Sequence, residues 1–114
     1  MVRAIWNGQV LAESNNTVVV EGNHYFPKSD INIDFFKMNS RQSTCPWKGV
    51  ANYYDITVDG KTNRGAAWVY PTPSKAAASI KDHVAFWGGV KVEEVRAEGE
   101  ESGGLMDRVR GLFS

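Results

Sequence analysis

The chain has a single cysteine, Cys45, and four prolines in 114 residues. One thiol cannot close an internal disulfide, so the fold must be held by its core. No apolar run approaches the roughly 18 residues that a membrane-spanning helix requires, and no transmembrane segment is expected. "MVRAIWNG" lacks the basic stretch and long apolar run of a secretory leader, so a cytoplasmic location is expected and the Asn15-Asn16-Thr17 sequon should go unglycosylated. Neither sign of charge is in excess, with 13 basic and 13 acidic side chains. Residues 1–96 carry 11 basic and 9 acidic groups, and residues 97–114 carry 2 and 4. Neither balance supports phosphate-backbone binding, so nucleic acid is not an expected partner.

What the sequence does contain is enough apolar material for one core. Apolar residues make up 42% and charged residues 23%, close to ordinary globular domains, and this length needs no metal or disulfide staple. "VRAIW", Asn7-Gly8 and "QVLAES" read as two strands joined by a two-residue turn, because Asn-Gly accepts the positive φ of a type I′ hairpin. "NTVVVE" and "HYF" follow, with a turn at Gly22-Asn23. "INIDFFKM" alternates Ile31, Ile33 and Phe35 against Asn32, Asp34 and Phe36, as a half-buried strand would. From Val50 the alternation resumes, and Asp59-Gly60 turns it into "RGAAWVY", where Ala66, Trp68 and Tyr70 share a face.

"PTPSKAAASIKD" is the one helix candidate in the body, with Ser74 as its cap. "HVAFW", Gly88-Gly89 and "VKVEEV" read as a closing hairpin. The expected organisation is a β domain over residues 1–96, an acidic Gly/Ser-rich linker over 97–104 and a short amphipathic segment over 105–114. Leu105, Met106, Val109, Leu112 and Phe113 fall on one helical stripe there. Such a segment either folds back or docks in the groove of a protein partner.

Cys45 is a candidate nucleophile, since a thiolate needs a base or a positive field. His24 and His83 are the only imidazoles, and Lys48 stands three residues away. The competing reading is a packed, inert thiol. Cys45, His24 and His83 are scattered and there is no C-x-x-C pair, so neither a metal nor a cofactor is expected. Gly60-Lys61-Thr62 imitates the end of a phosphate loop, but Asp55 stands where that motif needs glycine.

The aromatics are more telling. Trp47, Tyr53, Tyr54, Trp68, Tyr70, Phe86 and Trp87 all fall between residues 45 and 87. As core they supply burial. As walls, with few polar groups among them, they make a ligand cleft or a cage for a cation. The expected site comprises Trp47, Lys48, Asn52, Tyr54, Trp68, Tyr70 and Trp87 around a small-molecule ligand. An enzyme built on Cys45 with His83 or His24, and an adaptor docking through residues 105–114, stand as alternatives.

"RAIWNGQVLAES" with Thr17 and "YFP", then "CPWKGVANYYD", then "AAWVYPTPSKAAASIKDHVAFW" together resemble the domain-of-unknown-function family 427, which also carries a nucleotidyltransferase-like label. The resemblance covers about residues 2–96. It implies a mainly β, tent-type fold of two small antiparallel sheets packed at a steep angle, with one short helix. Related tent folds include zinc-bearing members and members with an aromatic cage, and this chain lacks the paired cysteines of the former. The label finds no chemical support: Asp30, Asp34, Asp55, Asp59 and Asp82 are dispersed, whereas nucleotidyl transfer needs carboxylates converging on a metal.

Overall fold

The computed structural model describes residues 1–95. The expected linker at 97–104 and the amphipathic segment at 105–114 lie outside the described residues. Two hairpins form where the sequence places them. Asn7 (φ 50°) and Gly8 (φ 75°) join β1 (Val2–Trp6) to β2 (Gln9–Ser14), and Asp59 (φ 50°) and Gly60 (φ 77°) join β6 (Gly49–Val58) to β7 (Lys61–Val69). Both central residues take the left-handed conformation that a type I′ turn demands. Between them lie β3 (Val18–Val20), β4 (Asn23–Pro27) and β5 (Phe36–Cys45), and after them β8 (His83–Phe86) and β9 (Lys91–Glu94). The turn between β3 and β4 is made by Glu21 (φ 53°) and Gly22 (φ 80°), one residue earlier than the Gly-Asn reading.

The strands form two antiparallel sheets, a small one ordered β2-β1-β9 and a large one ordered β3-β4-β8-β7-β6-β5. Their facing sides bury one cluster. Val2, Ala4, Leu11 and Ala12 from the small sheet meet Phe26, Tyr54, Ile56, Val69, Val84 and Phe86 from the large one. A second cluster occupies the other face of the large sheet, where Tyr25, Ala51, Tyr70 and Ala85 pack with Ala77 and Ile80 of the segment that follows β7. The period-two alternation of a strand accounts for this division. Tyr25 serves one cluster and Phe26 the other; Val84 and Phe86 face inward, Ala85 outward.

Three sequence expectations are corrected. "INIDFFKM" is not one strand: Ile31 makes an isolated bridge to Ala12, Ile33–Phe35 is a 3₁₀ turn with Ile33 exposed, and pairing starts at Phe36. The alternation there did not report burial. "PTPSKAAASIKD" forms only a kinked 3₁₀ stretch, Lys75–Ile80, with Ala77 off helical geometry. Ser74 does not cap it, because its hydroxyl donates to the Trp47 carbonyl at 2.5 Å. Gly88 (φ 65°) and Gly89 (φ 91°) do not close a hairpin either. They carry the chain out of the large sheet, and β9 pairs with β1 of the small one.

Asp55 ties three strands together beside the bulges that bend them. The register of β5 on β6 shifts between Met38 and Gln42, and that of β6 on β7 between Tyr54 and Ile56. One oxygen of Asp55 accepts from Asn39 Nδ2 at 2.7 Å and from the Gly65 backbone N–H at 2.8 Å. The Asn39 bond, then the Gly65 bond, holds the carboxyl below its ordinary 3.8. A depressed folded value means that stabilisation is present above pH 3.8 and is lost as pH falls through the folded pKa. Asp55→Ala is therefore expected to cost about 1 kcal/mol at neutral pH, with the difference from wild type shrinking as pH falls through the folded pKa. Urea denaturation at pH 7 and pH 2.5 checks this.

Candidate functional site

The large sheet is rolled. In a flat sheet of this order, β3 and β5 would stand about 24 Å apart, five spacings of roughly 4.8 Å. Yet Glu21, in the β3–β4 turn, reaches the corner between β5 and β6: one carboxylate oxygen accepts from the Lys48 ammonium and the other from Trp47 Nε1 at 3.3 Å. The two end hairpins thus meet across the concave face. Beneath them is a cleft of about 230 Å³.

The corner itself is the stretch Cys45-Pro46-Trp47-Lys48-Gly49. Cys45 pairs with Gly49, and the three residues between make the turn. Gly49 has φ 116°, and a Cβ there would stand 3.4 Å from the Thr72 carbonyl oxygen and 3.5 Å from Pro73 Cα. The Ser74 N–H donates to the Lys48 carbonyl at 3.0 Å, which fixes the corner against the chain after β7. Gly49→Ala is expected to cost about 1–3 kcal/mol, because that backbone angle is hostile to any L side chain. Thermal unfolding measures it, and a loss below about 0.5 kcal/mol would contradict the strained corner.

Five aromatic rings wall the cleft, from four strands or their ends. Tyr25 comes from β4, Tyr53 from β6, Trp68 and Tyr70 from β7 and its end, and Trp87 from the exit of β8, with Asn23 at one side. Tyr25 and Trp68 meet edge to face at 6.2 Å and 86°, and Trp68 and Trp87 at 6.3 Å and 87°. The indole N–H groups are committed: Trp68 donates to the Tyr25 hydroxyl at 3.2 Å, and Trp87 to the Gly65 carbonyl at 2.5 Å. The Tyr53 hydroxyl shares a hydrogen bond with Ser43 Oγ at 2.8 Å.

Lys48 supplies the charge. It is 6% exposed, with its ammonium 5.3 Å from the Trp47 ring centre and 5.7 Å from that of Tyr70. Burial, the largest influence, pulls its pKa down. The Glu21 hydrogen bond and the neighbouring Tyr25, Tyr70 and Cys45 outweigh it, so the value lies above the ordinary 10.5. Burial raises the Tyr70 phenol against the opposing pull of Lys48. Glu21 is lowered by its bond to Lys48, then by the one from Trp47.

The structure brings together Lys48, Trp68, Tyr70 and Trp87 of the expected site. Trp47 stands at the rim, 42% exposed. Asn52 and Tyr54 lie on the opposite face of β6: Asn52 accepts from Gln42 Nε2 at 2.8 Å, and Tyr54 is buried between the sheets against Phe36. Tyr53 takes the place expected for Tyr54. The signal was available, because the Asp59-Gly60 hairpin sets Tyr53 and Trp68 on one face, and they are cross-strand partners. Glu21, Asn23 and Tyr25 had no comparable signal, since only the roll of the sheet brings them near.

Cys45 is half-buried against the second cluster. The Trp47 backbone N–H draws its thiol below the ordinary 9.0; burial opposes this, and the N–H and charge of Lys48 reinforce it. His24 engages Thr17 Oγ1 at 3.0 Å, on the face of β4 opposite Tyr25, and His83 engages the Lys81 carbonyl at 2.7 Å. Among the described residues, no three side chains of His, Cys, Asp and Glu gather as metal ligands would. A larger hollow of about 440 Å³ lies between β2 and residues 29–32. It has no aromatic or cationic wall, and its Asp30 is already bonded by Ser14 Oγ at 2.6 Å.

Fold and cleft together define a small all-β domain with an aromatic recess built around one buried lysine. The chain belongs to the family described as a domain of unknown function (DUF427), whose model matches residues 1–98. No curated protein matches the chain. No helix among the described residues is long and apolar enough to cross a membrane.

Proposed function

We propose that the protein is a cytoplasmic binding module that holds a small ligand in the cleft between Tyr25, Tyr53, Trp68, Tyr70 and Trp87. One observation carries the reading: Lys48 is held almost fully out of water among aromatic rings that remain open to a cavity. Burying an ammonium is costly unless it is paired, and apolar walls with few polar groups are the usual make-up of a small-molecule site. The test is a screen of small aromatic, heterocyclic and nucleotide compounds against ¹⁵N-labelled protein, read at the Trp68 and Trp87 indole N–H signals. A ligand should move both together and quench tryptophan fluorescence. A screen in which nothing moves either signal would end the reading.

A second reading makes Cys45 a nucleophile. It is favoured by the backbone N–H groups and the lysine charge that lower its thiol. Alkylation of Cys45 should then reach half its maximal rate clearly below pH 8.5, the ordinary thiol range; a midpoint at or above that value counts against it. Residues 105–114 as a docking peptide remain a proposal about a segment outside the described residues, tested by deleting residues 97–114.

A further inference from the structure

We propose that the cleft takes a small planar ring bearing one carboxylate or comparable single anionic group, and that this group replaces Glu21 on the Lys48 ammonium. The proposal rests on the ligand-binding reading above and adds the class of ligand. Among the described residues that wall the cleft, Lys48 is the only charged side chain. Its ammonium has three donors, and among the described residues Glu21 is its hydrogen-bonding side-chain partner.

The two ends of this ion pair are unequal. The Lys48 side chain is 8% exposed and its backbone is pinned by Ser74, whereas the Glu21 side chain is 51% exposed on a two-residue turn. Glu21 can swing into water and be rehydrated; Lys48 cannot leave. The lysine is therefore the fixed receptor, and the carboxylate is an occupant from the chain itself that shows which chemistry the receptor accepts. Charge-assisted N–H···O⁻ bonds are among the stronger ones available, and they gain from the dry surroundings.

The rest of the wall selects the body of the ligand. Both indole N–H groups and the Tyr53 hydroxyl already have partners, so these three rings offer π surface rather than hydrogen bonds. Rings set at right angles let a flat guest lie face-on to one and edge-on to the next. The ligand thus has one polar end and an apolar plane. At about 230 Å³ the cleft falls below the roughly 300–1,000 Å³ of sites for larger ligands. A nucleoside polyphosphate would bring several negative charges to one cation. A quaternary ammonium, which suits an aromatic cage elsewhere, would meet the like charge of Lys48.

The test uses three probes that share one ring, phenylacetate, phenylacetamide and 2-phenylethylammonium, titrated into the ¹⁵N-labelled full chain. Phenylacetate should shift the Trp68 and Trp87 indole signals and bind at least about tenfold tighter than the amide, with the ammonium weakest. Glu21→Gln, at an exposed position, removes the competing carboxylate and should raise phenylacetate affinity several-fold. Equal or tighter binding of the amide or the ammonium, or a Glu21→Gln variant with unchanged or lower phenylacetate affinity, overturns the proposal. Failure of phenylacetate where the wider screen finds another ligand overturns this inference alone; failure of every compound overturns the cleft reading with it.

Discussion

Phe26→Ala is expected to cost the fold about 3–5 kcal/mol, the range for removing a fully buried phenylalanine. The ring is 0% exposed and sits edge to face on Phe86, at 5.5 Å and 79°, in the cluster that joins the two sheets. Its strand is pinned on both sides, because β4 pairs with β3 through Tyr25 and Val18 and with β8 through Phe26 and Val84. The surroundings therefore cannot collapse into the space the ring leaves, and the cavity persists. Phe26→Leu keeps most of the volume and should cost less than about 1.5 kcal/mol. Urea denaturation followed by circular dichroism separates the two. A loss under about 1 kcal/mol for Phe26→Ala would mean that the sheets do not depend on this contact. The alanine variant should also weaken the cleft, since Tyr25 rides on the same strand.

The parts of this fold legible in the sequence are those set by short-range backbone chemistry. Asn7-Gly8 and Asp59-Gly60 name their turns because few residues tolerate two successive positive φ angles. The face that each β6 side chain takes follows from the second of them, which sets Tyr53 on the side of Trp68; their direct pairing comes from the register shift between Tyr54 and Ile56. Parity survives the bulge at Gly65 from Ala67 onward, because β7 gains two residues there; Ala66, inside the bulge, joins Ala67 in the cluster between the sheets and does not share the face of Trp68 and Tyr70 as the alternation suggests.

Illegible parts are those set by partners far along the chain. Gly88-Gly89 has the composition of a hairpin turn, and nothing local reveals that Val92 pairs with Ala4 instead of with β8. Ser74 looks like a helix cap until the Trp47 carbonyl takes its hydroxyl. Glu21 reads as a solvated turn residue, and becomes part of the site only because six strands curl until their ends touch. Half of the site is written as an alternation pattern around Lys48, Trp68, Tyr70 and Trp87. The other half is a consequence of curvature, which bulges at Met38–Gln42 and Tyr54–Ile56 introduce and no single window of sequence reports.

Lys48→Met is expected to weaken carboxylate binding severely while leaving the fold nearly as stable as before. The folded pKa of Lys48 is raised above 10.5, so its contribution is present below that value and is lost as pH rises through the folded pKa. Glu21 is lowered from 4.5, so its contribution is present above 4.5 and is lost as pH falls through the folded pKa. Between those limits the pair is intact, yet its lysine carries the cost of burial. Methionine has nearly the same length, needs no partner among the rings of Trp47 and Tyr70, and leaves Glu21 to water; replacing a buried charge by an apolar isostere is commonly neutral or better. The variant should lose the part of the alkaline instability that Lys48 causes, and its affinity for phenylacetate should fall about 30-fold or more. Glu21→Gln should do the reverse, retaining the anion site while flattening the acid limb. Urea midpoints from pH 3 to pH 11, together with phenylacetate titrations of both variants, read all four effects. Unaltered phenylacetate affinity in Lys48→Met would take the anion site away from this lysine, whatever its stability.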